Sequence, residues 1–423
     1  MASLNRKETT ISIVIIGILF FIFGFVTWLN STLIPFLKIS CELNNAQAYF
    51  VTLAFYISYF VMAIPSSWVL KKTGFKGGMS LGLLTMAVGS LIFIPAANNR
   101  MYELFLIGLF IQGTGLTILQ TAANPYAIIL GPIESAARRI SIMGICNKVA
   151  GAIGTFILGV IVLKNIDPLK EKLLSITDSA ERTLLLNELA SRVIMPYIVM
   201  AIALFVLATL VKYSPLPDID TDKEENHLNE SVAGKTSIFQ FPHLLLGFLA
   251  IFFYVGAEVI SVDTIILYGQ SQGISMDEAR IFSTYTMVAM VIGYILGIIL
   301  IPKFIRQDKA LLVSAMLGII FSLAAIFTLG FSSVLFIAFL GFANAIMWPA
   351  IWPLAIQGLG KFTKIGSAIL IMGIIGGATL PLLYGRLADI SWVGSQQAYW
   401  MLIPCYVFIL FFAVKGHKIK KEF

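Results

Sequence analysis

Ile140-Ser-Ile-Met-Gly-Ile145 returns 229 residues later as Ile369-Leu-Ile-Met-Gly-Ile374. The register holds around it. Gly113 and Pro125, twelve apart, match Gly341 and Pro353 at an offset of 228, and Gly131 matches Gly360 at 229. Landmarks that keep one spacing across half a chain mark an internal duplication, and each copy lies among apolar runs long enough to cross a bilayer.

Twelve runs of roughly 20 apolar residues can be drawn, from 11–37 at the beginning through 104–130, 140–163, 243–269 and 334–358 to 397–414 at the end. Hydrophobic residues make up 58% of the 423, charged residues 12%, and the mean hydropathy is +0.91, values that describe a chain solvated by lipid. The first run is too long for a removable signal peptide and is read as the first span. The expected fold is an all-α membrane protein with twelve transmembrane helices in two pseudo-symmetric six-helix bundles. Residues 1–213 form one bundle and 242–423 the other, joined by a polar, Pro-marked linker at 214–241. A second polar stretch, 164–191, reads as an excursion between spans five and six.

Positive charge near span ends is retained on the cytoplasmic side. With both termini inside, 19 of the 29 Lys and Arg fall in cytoplasmic loops, nine fall outside, and Lys148 is left within a span. This dispersion accounts for the net charge of +7 without a nucleic-acid partner. Cys41, Cys146 and Cys405 offer neither a disulfide framework nor metal-ligand spacing and read as packing residues. His227, His243 and His417 are scattered at the membrane edges, and no phosphate-cradling loop or cofactor motif is present, so no enzyme is expected.

Charges inside the spans carry most of the functional signal, because a charge at membrane depth is costly unless it faces a partner or a water-filled pathway. At about 1.5 Å per residue, Glu258 sits roughly 24 Å from the inner edge and Lys148 roughly 12 Å deep. Glu258 is read as an ion-coupling carboxylate. Lys148 is expected either to form a pair with a carboxylate that opens and closes with substrate or to form a permanent structural pair. Asp263 lies about 140° around the helix from Glu258, so the two share a face only if the span unwinds. Its alternative is an acid at the outer interface.

Uncharged amides point to the substrate. Gln120 and Asn124, four apart, project from one helix face, and Asn344 with Trp348 occupies the matching stretch of the second half. Paired amides suit a substrate rich in hydroxyls, and an indole suits the apolar face of a sugar. A carboxylate or phosphate substrate would call for Arg deep in a span, and the sequence has none there. Alternatively Gln120 and Asn124 hold helices together through interhelical hydrogen bonds.

These residues resemble the fucose/glucose-galactose branch of the major facilitator superfamily over essentially the whole chain. The carriers are Trp28-Leu-Asn-Ser-Thr-Leu-Ile-Pro35, Gln120-Thr-Ala-Ala-Asn-Pro-Tyr-Ala127, Cys146-Asn-Lys-Val-Ala-Gly151, Tyr254-Val-Gly-Ala-Glu258, and Asn344 through Gly360. The superfamily's loop after span two is reduced here to its basic residues and Gly74. The resemblance implies the major facilitator fold and cation symport of a neutral monosaccharide, a glucose/galactose-type hexose first, with N-acetylglucosamine or L-fucose as alternatives. It implies H+ or Na+ as coupling cation, no cofactor, a monomer, and residence in the bacterial cytoplasmic membrane. It also adds Asn30 and Asn147 to the substrate-binding set. Fucose-type members carry acids at the places of Ser31 and Gln120; here both are neutral, and glucose/galactose-type sequences resemble this one in placing a carboxylate at Glu258. A sugar sensor that keeps the fold without translocating, or a drug-efflux facilitator with a larger apolar cavity, remains the competing class.

Overall fold

Lipid offers the backbone no hydrogen-bond partner, so apolar runs of this length satisfy their amides internally as helices. The computed structural model describes residues 6–129, 136–216, 237–301, 303–359 and 362–419. Most of the 214–241 linker, together with Gly131 and Gly360, lies outside the described residues.

Among the described residues eleven helices are long and apolar enough to span. One of them, Asn45–Asn98, runs 54 residues, about twice what a crossing needs. It contains Gly74 at φ 68° and ψ 174°, a conformation closed to most side chains, and the chain reverses there. Divided at Gly74, the eleven become the twelve expected from sequence.

Span 1 comprises Arg6–Trp28 and Asn30–Ser40; spans 2 and 3 are the two arms of Phe50–Asn98. Span 4 is Tyr102–Ile129, span 5 Ala136–Val162 and span 6 Ile194–Tyr213. Span 7 comprises Pro242–Asp263 and Ile265–Ser271, span 8 is Phe282–Leu300 and span 9 Gln307–Phe327. Span 10 is broken into Gly330–Asn344 and Met347–Ile356, and span 11 into Thr363–Met372 and Gly376–Asp389. Span 12 ends the bundle at Leu402–Val414. The 164–191 excursion folds as two helices, Ile166–Ser175 and Ser179–Ser191, on the face opposite the termini, called here the far face.

The duplication is visible in how helices cross. Gly113 lets span 4 approach span 2, where an added Cβ would overlap the Phe55 carbonyl and the Ser58 hydroxyl; Gly341 lets span 10 approach span 8 against the Thr286 carbonyl. A second pair is reciprocal. Gly24 of span 1 meets the Asn147 carbonyl of span 5, and Gly376 of span 11 meets the Phe252 carbonyl of span 7. Residue 252 is the counterpart of 24 and residue 376 of 147 by the offsets of 228 and 229, so the same crossing is kept with the glycine moved to the other helix.

A proline inside the second helix of span 10 leaves a carbonyl without its backbone partner. Pro353 has no N–H to return to the Pro349 carbonyl, and the Gln307 side-chain amide of span 9 donates to that oxygen at 3.2 Å and to Ala350 at 2.7 Å. Span 6 presents Met195, Val199, Ile202 and Val206 outward at helical spacing. An apolar stripe of this kind suits lipid rather than water. Cys41 and Cys146 are half-buried and Cys405 is buried.

Candidate functional site

The two charges that stood out in the sequence meet between the halves. Lys148 Nζ on span 5 donates to Glu258 Oε1 on span 7 at 2.8 Å, with side chains 7% and 8% exposed. The ammonium also lies 4.1 Å from the centre of the Trp28 ring on span 1. A desolvated cation over an indole face gains about 2 kcal/mol or more. The ring is fixed in place because its Nε1 donates to Asn147 Oδ1 at 3.2 Å, one residue before the lysine. Tyr254 and Tyr294 lie within electrostatic reach of the glutamate. Around this centre Trp28, Val262, Met287, Met290, Tyr294 and Ala345 pack as an apolar cluster drawn from both halves.

The uncharged amides lie on spans 1, 4, 5 and 10. Asn30, at the break of span 1, is 1% exposed, and neither its oxygen nor its nitrogen has a partner among the described residues. Asn147 keeps a spare amide nitrogen, as does Asn344, whose oxygen accepts from the Tyr406 hydroxyl at 3.0 Å. A buried donor without a partner costs about 1–3 kcal/mol, which a ligand hydroxyl recovers on binding. Gln120 and Asn124 are half-buried on span 4. Trp348 is half-buried on span 10, with ring centroids 5.2 Å from Trp352 and 6.4 Å from Tyr254. Ser31 donates to the Trp28 carbonyl at 2.9 Å.

Glu258 reaches Lys148 on span 5; Asp263 is fully buried within electrostatic reach of Tyr49 and Tyr56, and Tyr56 lies within reach of both carboxylates. The sequence left two cavities unread. One, of about 250 Å³, lies on the far face beside Glu42, Lys170 and Arg182; the other, of about 110 Å³, is apolar and lies among spans 8, 9 and 10. Neither opens between the halves.

A set of contacts the sequence did not reveal closes the far face. The Asp389 carboxylate at the end of span 11 accepts from the backbone N–H groups of Asn45 and Ala46 at 3.1 and 2.8 Å, capping the short helix Asn45–Ala48 from the other half. Tyr49 meets Tyr384 edge to face at 5.7 Å, Asp167 accepts from the Asp277 N–H at 3.2 Å, and Lys170 donates to Gln270 at 3.1 Å. Each partner is more than 90 residues from the other, beyond any local pattern. Replacing Asp389 by Ala removes a cap worth about 1 kcal/mol, so the ratio of closed to open far face should fall roughly fivefold. Distances between spin labels at Lys172 and Trp392, both exposed on that face, read the shift; an unchanged distribution removes Asp389 from the closure.

The description of the Major Facilitator Superfamily fits residues 16–381. The chain belongs to the Major Facilitator Superfamily. Among its relatives, the glucose/galactose transporter of Brucella abortus is 35% identical over 418 residues, covering 98% of this chain and 96% of that one. The L-fucose-proton symporter of Escherichia coli is 30% identical over 374 residues, covering 88% and 85%. The crystal structure of the Escherichia coli fucose:proton symporter superposes with a TM-score of 0.72 at 28% identity, over 96% of this chain and 98% of that one. This facilitator therefore has the twelve-span fold that its duplication implied.

Proposed function

We propose that this facilitator imports a neutral monosaccharide, a glucose/galactose-type hexose, by proton symport with alternating access. The observation that carries the reading is the buried Lys148–Glu258 pair. It joins the two halves, so motion of one half against the other makes and breaks it, and Asn147, which keeps a spare amide nitrogen, directly precedes the lysine. A hydroxyl-rich ligand entering there replaces unsatisfied amides with hydrogen bonds while the pair lets go. Held by Lys148, the Glu258 carboxylate cannot host a cation in this state; it becomes available when the halves part. The far face is sealed in this state, and the terminal face is the cytoplasmic one by the distribution of Lys and Arg.

The two halves, 1–213 and 242–423, then rock about the site as a monomer in a bacterial cytoplasmic membrane. The Brucella abortus relative supports a glucose/galactose-type substrate, and the Escherichia coli relative supports the proton. A counterflow panel of glucose, galactose, N-acetylglucosamine and L-fucose in proteoliposomes, with and without sodium and a pH gradient, tests both. A non-transporting sensor binds sugar in this assay without moving it. Replacing Gln120 or Asn124 by Ala should weaken sugar affinity about tenfold each, the worth of one hydrogen bond at roughly 1.4 kcal/mol. Affinities equal to the parent protein's in both variants would make the two amides packing residues.

A further inference from the structure

Asp263 closes the long helix of span 7 at the level where the far face is sealed. Its relative exposure is 0%, and neither carboxylate oxygen has a hydrogen-bond partner among the described residues. The polar atoms close to it along the chain are already engaged. Ser261 donates to the Glu258 carbonyl at 2.7 Å, Thr264 bridges the Ile260 carbonyl and the Tyr399 hydroxyl, and Ser283 donates to the Val262 carbonyl at 2.8 Å.

No counter-charge is at hand either. At the far-face end of the elements packed against span 7, Lys148 is committed to Glu258, Lys38 of span 1 donates to Asn45, Arg280 pairs with Asp277 at 3.1 Å, and Arg386 of span 11 is exposed. Span 2 contributes Tyr49 and Tyr56, span 8 Tyr294, span 11 Tyr384 together with Asp389, and Tyr399 lies beside Thr264; both helices of span 10 contain no titratable residue. A bare carboxylate in such a place is costly by tens of kcal/mol in the Born limit, and the group takes a proton instead.

Resting on the symport reading above, we propose that Asp263 is a proton-binding site whose occupancy is the condition for closing the far face. When that face is open, water reaches the carboxylate and it ionises; closure expels the water, and the aspartate enters the seal only after one oxygen has accepted a proton. The sealed state thus holds one more proton than the open state. Each unit rise in pH lowers the sealed-to-open ratio by up to tenfold, the slope for one proton.

The test reads conformation without sugar, so it stands or falls separately from the substrate. Spin labels at Lys172 and Trp392 are followed from pH 5 to pH 9 in nanodiscs. The expected result is a far face that opens as pH rises, and a D263N protein that stays closed throughout. D263S, small and neutral, should behave alike if D263N folds poorly. In the parent protein, the infrared spectrum of the sealed state should contain a protonated carboxyl stretch that is missing from either variant. A pH response preserved in D263N or D263S, or an infrared spectrum identical with and without the aspartate, overturns the proposal.

Discussion

Replacing Glu258 by Gln is expected to destabilise the folded protein by about 3–5 kcal/mol, because it strands the Lys148 ammonium at membrane depth with no counter-charge. The neighbours cannot make up the loss: Trp28 contributes only its ring face, and Asn147 has already committed its oxygen to that indole. Lys148→Met alone should cost a similar amount, since it leaves the carboxylate buried instead. The double variant should recover most of the stability, as removing both charges of a buried pair is often neutral. Thermal unfolding of the four proteins in one detergent measures this non-additivity. If the double variant loses the sum of the two single losses, the pair contributes nothing to the fold in its sealed state. Where the double variant folds, counterflow and pH-driven accumulation can be compared on it directly, separating the pair's structural role from its role in transport.

Gly376→Leu should be at least as severe. The added Cβ overlaps the Phe252 carbonyl, which belongs to a helix backbone and cannot rotate away. Overpacking against side chains costs about 1–3 kcal/mol, and rigid backbone should bring the loss to the upper end or beyond. The duplication sharpens the expectation: Gly24→Leu meets the Asn147 carbonyl at the equivalent crossing and should cause a loss of similar size. Leu at Gly358, where nothing lies within 4 Å, meets no steric obstacle of this kind and serves as the comparison for packing, with its positive φ of 76° as a separate burden. Yield of folded protein by size-exclusion chromatography orders the three variants; a well-folded Gly376→Leu protein would mean that spans 7 and 11 can separate at this point without harm.

The fold was legible because membrane helices write their length into composition and because the two halves repeat each other. Spans, orientation of the repeat and the 164–191 excursion all followed from local patterns. The broken courses of spans 1, 7, 10 and 11 were not read, since their breaks at Leu29, Thr264, Ala345 and Gly373 depend on what the freed backbone meets on other helices. The site divided in the same way. Lys148 and Glu258 announced themselves as charges out of place, and a carboxylate partner for the lysine was foreseeable. Trp28 was noticed only as part of a resemblance; that it lies beneath the ammonium is a fact of span 1 crossing span 5. The Asp389 cap joins residues 343 and 344 apart, and no periodicity carries information over such a distance. The isolation of Asp263 is equally invisible in sequence, because it consists of what the surrounding helices do not supply.

The cap on the far face also sets how that gate can vary over time. Asp389 grips main-chain amides, so at Ala46 nearly any substitution leaves the donor in place; proline alone deletes it. One jaw of the clasp is therefore indifferent to spelling while the other is confined to a short acid. Natural drift should run freely at Ala46 yet stall at the aspartate, and random mutagenesis aimed at faulty clasps should return lesions at Asp389 far more often than at Ala46.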